Sequence, residues 1–188
     1  MIRKLLVAAL GLGLLAGCGT AAAPAAPPPA APASPPAAPA SASSAPGGPP
    51  APAKVAASLA FAGKTLDGQA FDAATLAGKP ALLWFWAPWC ATCAGQASSV
   101  QEVQQEYAGK LGVLGIAGLG SNAEMHEFVS DLEIPDVRTL DDQAGAVWRK
   151  FGITQQSTYV LIDAQGKVVT SSYLDAVDLP AKVRTLVG

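Results

Sequence analysis

Apolar and polar positions follow several distinct rhythms along this chain of 188 residues. Ala81 to Trp86 is apolar without a break, the pattern of a central strand buried on both faces. From Ala91 through Tyr107 there is no proline and only one glycine. Val100, Val103 and Tyr107 fall on one face there and Gln101, Glu102, Gln104, Gln105 and Glu106 mostly on the other, which predicts a helix. Leu111–Ala117 is a second buried strand. Ser121-Asn122-Ala123-Glu124 has the spacing of a capping box and opens a helix to about Leu132. Val137–Leu140 is a short strand, and Asp141 or Asp142 caps a helix stopped by glycine at Phe151-Gly152. Thr158–Ile162 and Lys167–Ser172 flank Asp163-Ala164-Gln165-Gly166 as an antiparallel hairpin. Asp178-Leu179-Pro180 opens a last helix to Leu186, with Asp178 as its cap and proline in the first turn. Ahead of all these, Ser58–Phe61 and Gln69–Phe71 flank the turn signal Asp67-Gly68. The order β-β-β-α-β-α-β-α-β-β-α predicts an α/β fold: a mixed central sheet flanked by helices, with an N-terminal β-hairpin.

None of these rhythms holds before residue 54. Thr20 to Ala53 contains only Ala, Pro, Ser, Gly and Thr, with no charge and no large side chain. Such a stretch buries too little surface to offset its ordering entropy. Its prolines favour an extended spacer of about 3.1 Å per residue, with a reach on the order of 100 Å. Before it, Met1-Ile2-Arg3-Lys4 is a positive start and Leu5–Ala16 an uncharged apolar core. That core is too short for a bilayer, which needs about 20 helical residues, and has the size of a signal-peptide core. It ends in Leu15-Ala16-Gly17-Cys18, which resembles a bacterial lipobox. The resemblance implies cleavage before Cys18, acyl chains on that cysteine and stable membrane anchoring. The chain thus divides into a signal peptide at 1–17, a lipidated N-terminus and tether at 18–53, and one folded domain at 54–188.

Charge adds one exclusion. The formal net charge is −2 and no basic cluster follows the first few residues, so nucleic acid is not an expected partner. Three cysteines are present. With Cys18 assigned to the lipobox, Cys90 and Cys93 remain, and they close the run Trp84-Phe85-Trp86-Ala87-Pro88-Trp89-Cys90-Ala91-Thr92-Cys93. The first of them sits where a strand hands over to a helix N-terminus, where the helix dipole and free N–H groups favour a thiolate. A bridge across so short a loop ties no distant elements together, which argues against a structural staple. A zinc site wants four ligands, and the domain offers two cysteines and one histidine, His126. No metal and no cofactor are expected. His126, flanked by Glu124 and Glu127, reads as a solvated helical face, and Trp148, at helical spacing with Phe151, as core.

Trp-Ala-Pro-Trp-Cys-x-x-Cys at a strand-to-helix junction, in this order of elements, resembles the thioredoxin superfamily over about Ser58 to Gly188. The N-terminal hairpin and the insertion around Gly118 to Leu140 resemble its extracytoplasmic TlpA/DsbE-like branch. Trp84-Phe85-Trp86 and the lipobox are similar to the DsbE/DsbF-like proteins of actinobacteria. The resemblance implies an enzyme, a thiol–disulfide oxidoreductase with Cys90 as exposed nucleophile and Cys93 as the more buried resolving thiol. Its partners would be exported protein thiols and disulfides, plus a redox partner that recycles the pair. Trp89 is expected as a partner-facing ring, and Gln156 and Ser157 as the place where a partner strand docks. An oxidising compartment favours an oxidant or isomerase. The alternatives are a reductant for cytochrome c maturation and a thioredoxin-like module that binds partners without redox chemistry. A peroxidase of the related peroxiredoxin group would need a Thr/Pro-x-x-x-Cys context, which is absent.

Three positions depart from the family. Thioredoxins have a buried acid where this chain has Trp84, and the TlpA-like branch often has Glu where it has Gln96. The family's cis-proline is replaced by Ser157, with no proline between Pro135 and Pro180. A cis bond at a non-proline residue costs roughly 3 kcal/mol, so a trans bond, or else a strained exception, is expected. The missing ring leaves room for a hydroxyl or a water beside Cys90.

Overall fold

The computed structural model describes residues 55–188. The expected signal peptide at 1–17, the expected lipidation at Cys18 and the expected tether through residue 53 lie outside the described residues.

The chain order is β1 (Ala62–Lys64), β2 (Ala70–Asp72), β3 (Ala81–Trp86), α1 (Ala91–Glu106), β4 (Gly112–Ala117), α2 (Asn122–Asp131), β5 (Thr139–Asp141), α3 (Ala146–Lys150), β6 (Thr158–Ile162), β7 (Val168–Ser172) and α4 (Asp178–Val187). Five strands form one sheet in the order β5-β4-β3-β6-β7, with β1 and β2 as a separate antiparallel pair. β3 runs parallel to β4 and antiparallel to β6, so it is the central strand, hydrogen-bonded on both edges. That placement explains its unbroken apolar sequence: all six residues are buried.

Strand alternation sorts those six side chains between two cores. Leu82, Trp84 and Trp86 enter the core shared with Val100 and Val103 of α1, Met125 and Phe128 of α2, and Leu179 and Val183 of α4. Ala81, Leu83 and Phe85 enter the other, with Leu59, Phe71, Leu76, Val147 and Trp148. In the first core Trp86 stacks on Phe128 with ring centroids 4.3 Å apart. In the second Trp148 meets Phe85 edge-on, and its Nε1 donates to the Ile116 carbonyl at 3.2 Å.

The element order is the expected one; local details differ. The first hairpin strand is not Ser58–Phe61. Ala57–Leu59 is a single 3-10 turn, and the strand begins at Ala62. Long-range contacts hold that turn: Ser58 Oγ donates to the Gly166 carbonyl at 2.6 Å and Lys150 Nζ to the Ala57 carbonyl at 2.7 Å. Gly166, at φ 82°, also lies so close to Ala56 that a β-carbon there would overlap it. Asp178 is not the cap of α4 but its first residue; the Asp175 carboxylate takes the N–H groups of Val177 and Asp178, both at 2.8 Å. Gly145, not Asp141 or Asp142, holds the N-cap position of α3, and the side chain that satisfies its free donors is that of Asp142. Its carboxylate accepts from the N–H groups of Ala146, Val147 and Trp148 at 2.8, 3.0 and 2.9 Å. The capping box of α2 is formed as read, with Ser121 and Glu124 bonding reciprocally.

Candidate active site

The site grows from the C-terminal end of β3. Buried strand, buried Ala87, then Pro88 and exposed Trp89 bring the chain to Cys90, the N-cap of α1. The Cys93 N–H, a free donor of the first turn, points at Cys90 Sγ at 3.0 Å. The two cysteines form a disulfide with a Cα–Cα distance of 5.2 Å. Reduction would leave Cys90 at a helix N-terminus with that N–H already aimed at it, where a thiolate is favoured.

Cys90 is less open than its role suggested. It is 6% exposed and Cys93 fully buried, so the pair is asymmetric but the nucleophile is recessed rather than exposed. Access comes from a cleft of about 400 Å³ that Cys90 lines and Cys93 does not. Its apolar floor includes Pro88, Trp89 and Phe128, and α2 supplies an acidic edge of Glu124, Glu127 and Asp131. A larger hollow of about 660 Å³, lined among others by Lys79, Gly112, Arg138 and His126, opens beside the starts of β3 and β4 and touches neither cysteine.

Trp89 is 60% exposed, yet not loose: its Nε1 donates to the Leu119 carbonyl at 2.7 Å. Leu119 holds a left-handed backbone, φ 58°, and is itself exposed. No sequence signal marked this leucine. Beside it, Gly120 lies so close to Pro88 that a β-carbon would overlap the proline ring.

Ser157 reaches the cysteines from the loop before β6. No cis peptide bond occurs among the described residues, and Ser157 takes φ 66°. A left-handed residue other than glycine costs about 1–2 kcal/mol and persists where its surroundings over-determine it. Here the Ser157 N–H donates to the Phe85 carbonyl at 2.9 Å, and its own carbonyl accepts from Gln96 Nε2 at 3.2 Å. The side chain turns to the sulfurs: Oγ lies 3.2 Å from Cys90 Sγ and 3.2 Å from Cys93 Sγ. Gln96 joins this to the core, since its Oε1 accepts from Trp84 Nε1 at 2.9 Å. The three departures from the family are thus one buried network. Sequence alone exposed the missing carboxylates and ring, but not the bonds that replace them. Gln156 is half-buried beside the site, and among the described residues neither its N–H nor its C=O takes a hydrogen bond.

His126 is outside this site, exposed on α2 with Nε2 3.1 Å from the Leu66 carbonyl. Behind the cysteines a second cleft of about 370 Å³ is lined by Thr92, Gln96, Tyr159, Tyr173 and Asp175. Burial, reinforced by neighbouring Tyr173, raises the Tyr159 pKa well above the ordinary tyrosine value. The N–H groups of Asp178 and Val177 hold the Asp175 carboxyl below its ordinary range.

Comparison with known proteins agrees with this geometry. A family model described as Redoxin matches residues 46–185. The chain belongs to the Redoxin family. The soluble secreted antigen MPT53 of Mycobacterium tuberculosis is 36% identical over 126 residues, 66% of this chain and 70% of the relative. Among solved structures, MTB dsbF in its mixed oxidized and reduced forms is 40% identical with a TM-score of 0.67, covering 71% of this chain and 99% of that one. A secreted M. tuberculosis disulfide oxidoreductase homologous to E. coli DsbE is 32% identical with a TM-score of 0.63, covering 69% and 98%. This Redoxin-family chain therefore has the thioredoxin fold and is a DsbE/DsbF-like member of the superfamily. With its Cys90–Cys93 pair it is a thioredoxin-like thiol–disulfide oxidoreductase.

Proposed function

We propose that the protein works outside the cytoplasm, exchanging disulfides with exported proteins and running as an oxidant or isomerase rather than a reductant. Cys90 is the nucleophile and Cys93 the resolving thiol. The observation that carries the assignment is the asymmetry of the pair: Cys90 lines the cleft, while Cys93 is fully buried behind it. A partner sulfur coming through the cleft meets Cys90 first, and the thiolate it exchanges with is the one the helix N-terminus favours. Trp89 offers an exposed ring beside it, and the unengaged backbone of Gln156, next to Ser157, is a place for a partner strand to bond. Acylation at Cys18 would hold the domain at the cell membrane on the 18–53 tether, and a separate redox partner would recycle the pair. The oxidising direction is favoured by the export signal and the compartment it implies.

Two measurements test this. A Cys93→Ser variant of the full chain should accumulate mixed disulfides with exported proteins through Cys90, whereas Cys90→Ser should not. The reduction potential of the pair should lie nearer about −120 mV than about −270 mV, the values typical of an oxidant and of thioredoxin. A value at the thioredoxin end assigns the reductant role instead, and the absence of both trapped partners and thiol exchange ends the reading.

A further inference from the structure

We propose that the Ser157 hydroxyl is a catalytic group of this site: one rotating donor, shared by Cys90 and Cys93, that turns to whichever sulfur holds the electron pair released during exchange. The inference rests on the proposed reaction at Cys90–Cys93 and holds for either direction of electron flow.

The geometry is that of a shared donor. Oγ is equidistant from the two sulfurs, 3.2 Å from each. A hydroxyl has one proton and a free rotor, so it serves one sulfur at a time and changes partner without moving its oxygen. Ser157 is 7% exposed, which keeps water from competing and strengthens the bond to a charged sulfur. The backbone that carries the hydroxyl is held from both sides, by the Ser157 N–H on the Phe85 carbonyl and by Gln96 Nε2 on the Ser157 carbonyl. Gln96, fixed in turn by Trp84 Nε1, is the positioning residue.

Among the described residues no other side chain bonds to both sulfurs, and the Cys93 N–H serves Cys90 Sγ alone. In the cleft behind the pair, the Tyr159 hydroxyl makes no hydrogen bond to either sulfur, and the Asp175 carboxylate is committed to the start of α4. Tyr173 lines the same cleft. On the Cys90 side, Glu124, Glu127 and Asp131 are exposed acceptors that disfavour a thiolate rather than donate to it.

The steps balance as follows. A partner thiolate attacks Cys90 Sγ, the Cys90–Cys93 bond breaks, and its electron pair stays on Cys93 Sγ. Ser157 donates to that sulfur until a proton, released by the partner thiols, neutralises it. The partner's second thiolate then attacks the partner sulfur of the mixed disulfide. Cys90 Sγ leaves with the bonding pair, and the hydroxyl turns to it. The partner dithiol is oxidised, the enzyme disulfide is reduced, and two electrons have passed.

Ser157→Ala and Ser157→Gly in the full chain test this, the glycine variant removing the hydroxyl without straining the left-handed backbone. The Cys90 pKa is read in the reduced protein from thiolate absorbance. The equilibrium with glutathione is read at a pH where Cys90 is ionised in all forms. Both variants should raise the Cys90 pKa by about one unit and shift the equilibrium about tenfold toward the disulfide. Unchanged values in either folded variant overturn the proposal, as does a shift in the alanine but not the glycine variant, which would assign the effect to the backbone. A wild-type pair that does not exchange with glutathione at all is a different failure: it overturns the reaction itself.

Discussion

The residue that best shows how this site departs from its family is Gln96. It stands where the TlpA-like branch often has a carboxylate, and its amide does two things a carboxylate cannot do together. Oε1 accepts from Trp84 Nε1 while Nε2 donates to the Ser157 carbonyl. Both ends of the amide are satisfied in a place 7% exposed, so the network is neutral and complete. Gln96→Glu restores the family's usual acid but sets its anion against the Ser157 carbonyl. Burial and that carbonyl both favour the protonated form, so its folded pKa should rise above the ordinary glutamate value of about 4.3. A raised carboxyl pKa means the folded state binds the proton more tightly than the unfolded state. Stability relative to wild type is then kept at low pH and lost as pH rises through the folded value. Thermal unfolding of the variant and wild type across the acid-to-neutral range checks this; parallel curves would contradict it.

At the scale of elements, the chain's periodicities carried most of the information. The unbroken run of β3, the spacing of Val100 and Val103 and the Ser121–Glu124 box are local patterns, and local physics satisfies them. The start of the first hairpin strand moved where a contact distant in sequence took over. Ser58–Phe61 looks strand-like, but Ser58 is bonded to Gly166, 108 residues away, and the strand starts later. Asp142 shows what a single side chain can hold. α3 is short, and three of its free N–H groups depend on one carboxylate that is 5% exposed. Asp142→Ala leaves those donors without their acceptor and should destabilise the domain by about 2–4 kcal/mol, with Asp142→Asn recovering part of the loss. Chemical denaturation of the three proteins measures this. Because α3 packs Trp148 behind Phe85, rather than beside the cysteines, thiol exchange in the folded variant should be little changed.

Across the whole molecule, the sheet order brings β3, the α2 edge and the loop before β6 around one pair of sulfurs. The acidic edge of Glu124, Glu127 and Asp131 gives the entrance a sign. Glu124 belongs to the α2 capping box, which leaves Glu127 and Asp131 as the carboxylates free to be changed. Replacing them with Gln and Asn should speed the reduced protein's reaction with oxidised glutathione, an anion, a few-fold at low ionic strength. The gain should vanish near 1 M salt, where the screening length is about 3 Å, and be absent with an uncharged disulfide. Stopped-flow rates over a salt series would show it.

The sequence by itself determined the class of the chain: the strand-to-helix junction, the Cys-x-x-Cys spacing and the order of elements are short-range features, readable because backbone periodicity and helix-end chemistry act over a few residues. Only the tertiary structure decided what surrounds the cysteines. Ser157 meets Cys90 and Cys93 across 67 and 64 residues of chain, and Gln96 meets its backbone across 61. Such contacts follow from strand order and register, which bring β6 beside β3; no local pattern encodes them. That is why the pair could be found from ten consecutive residues, while the hydroxyl set between its sulfurs appeared only once the sheet had closed around it.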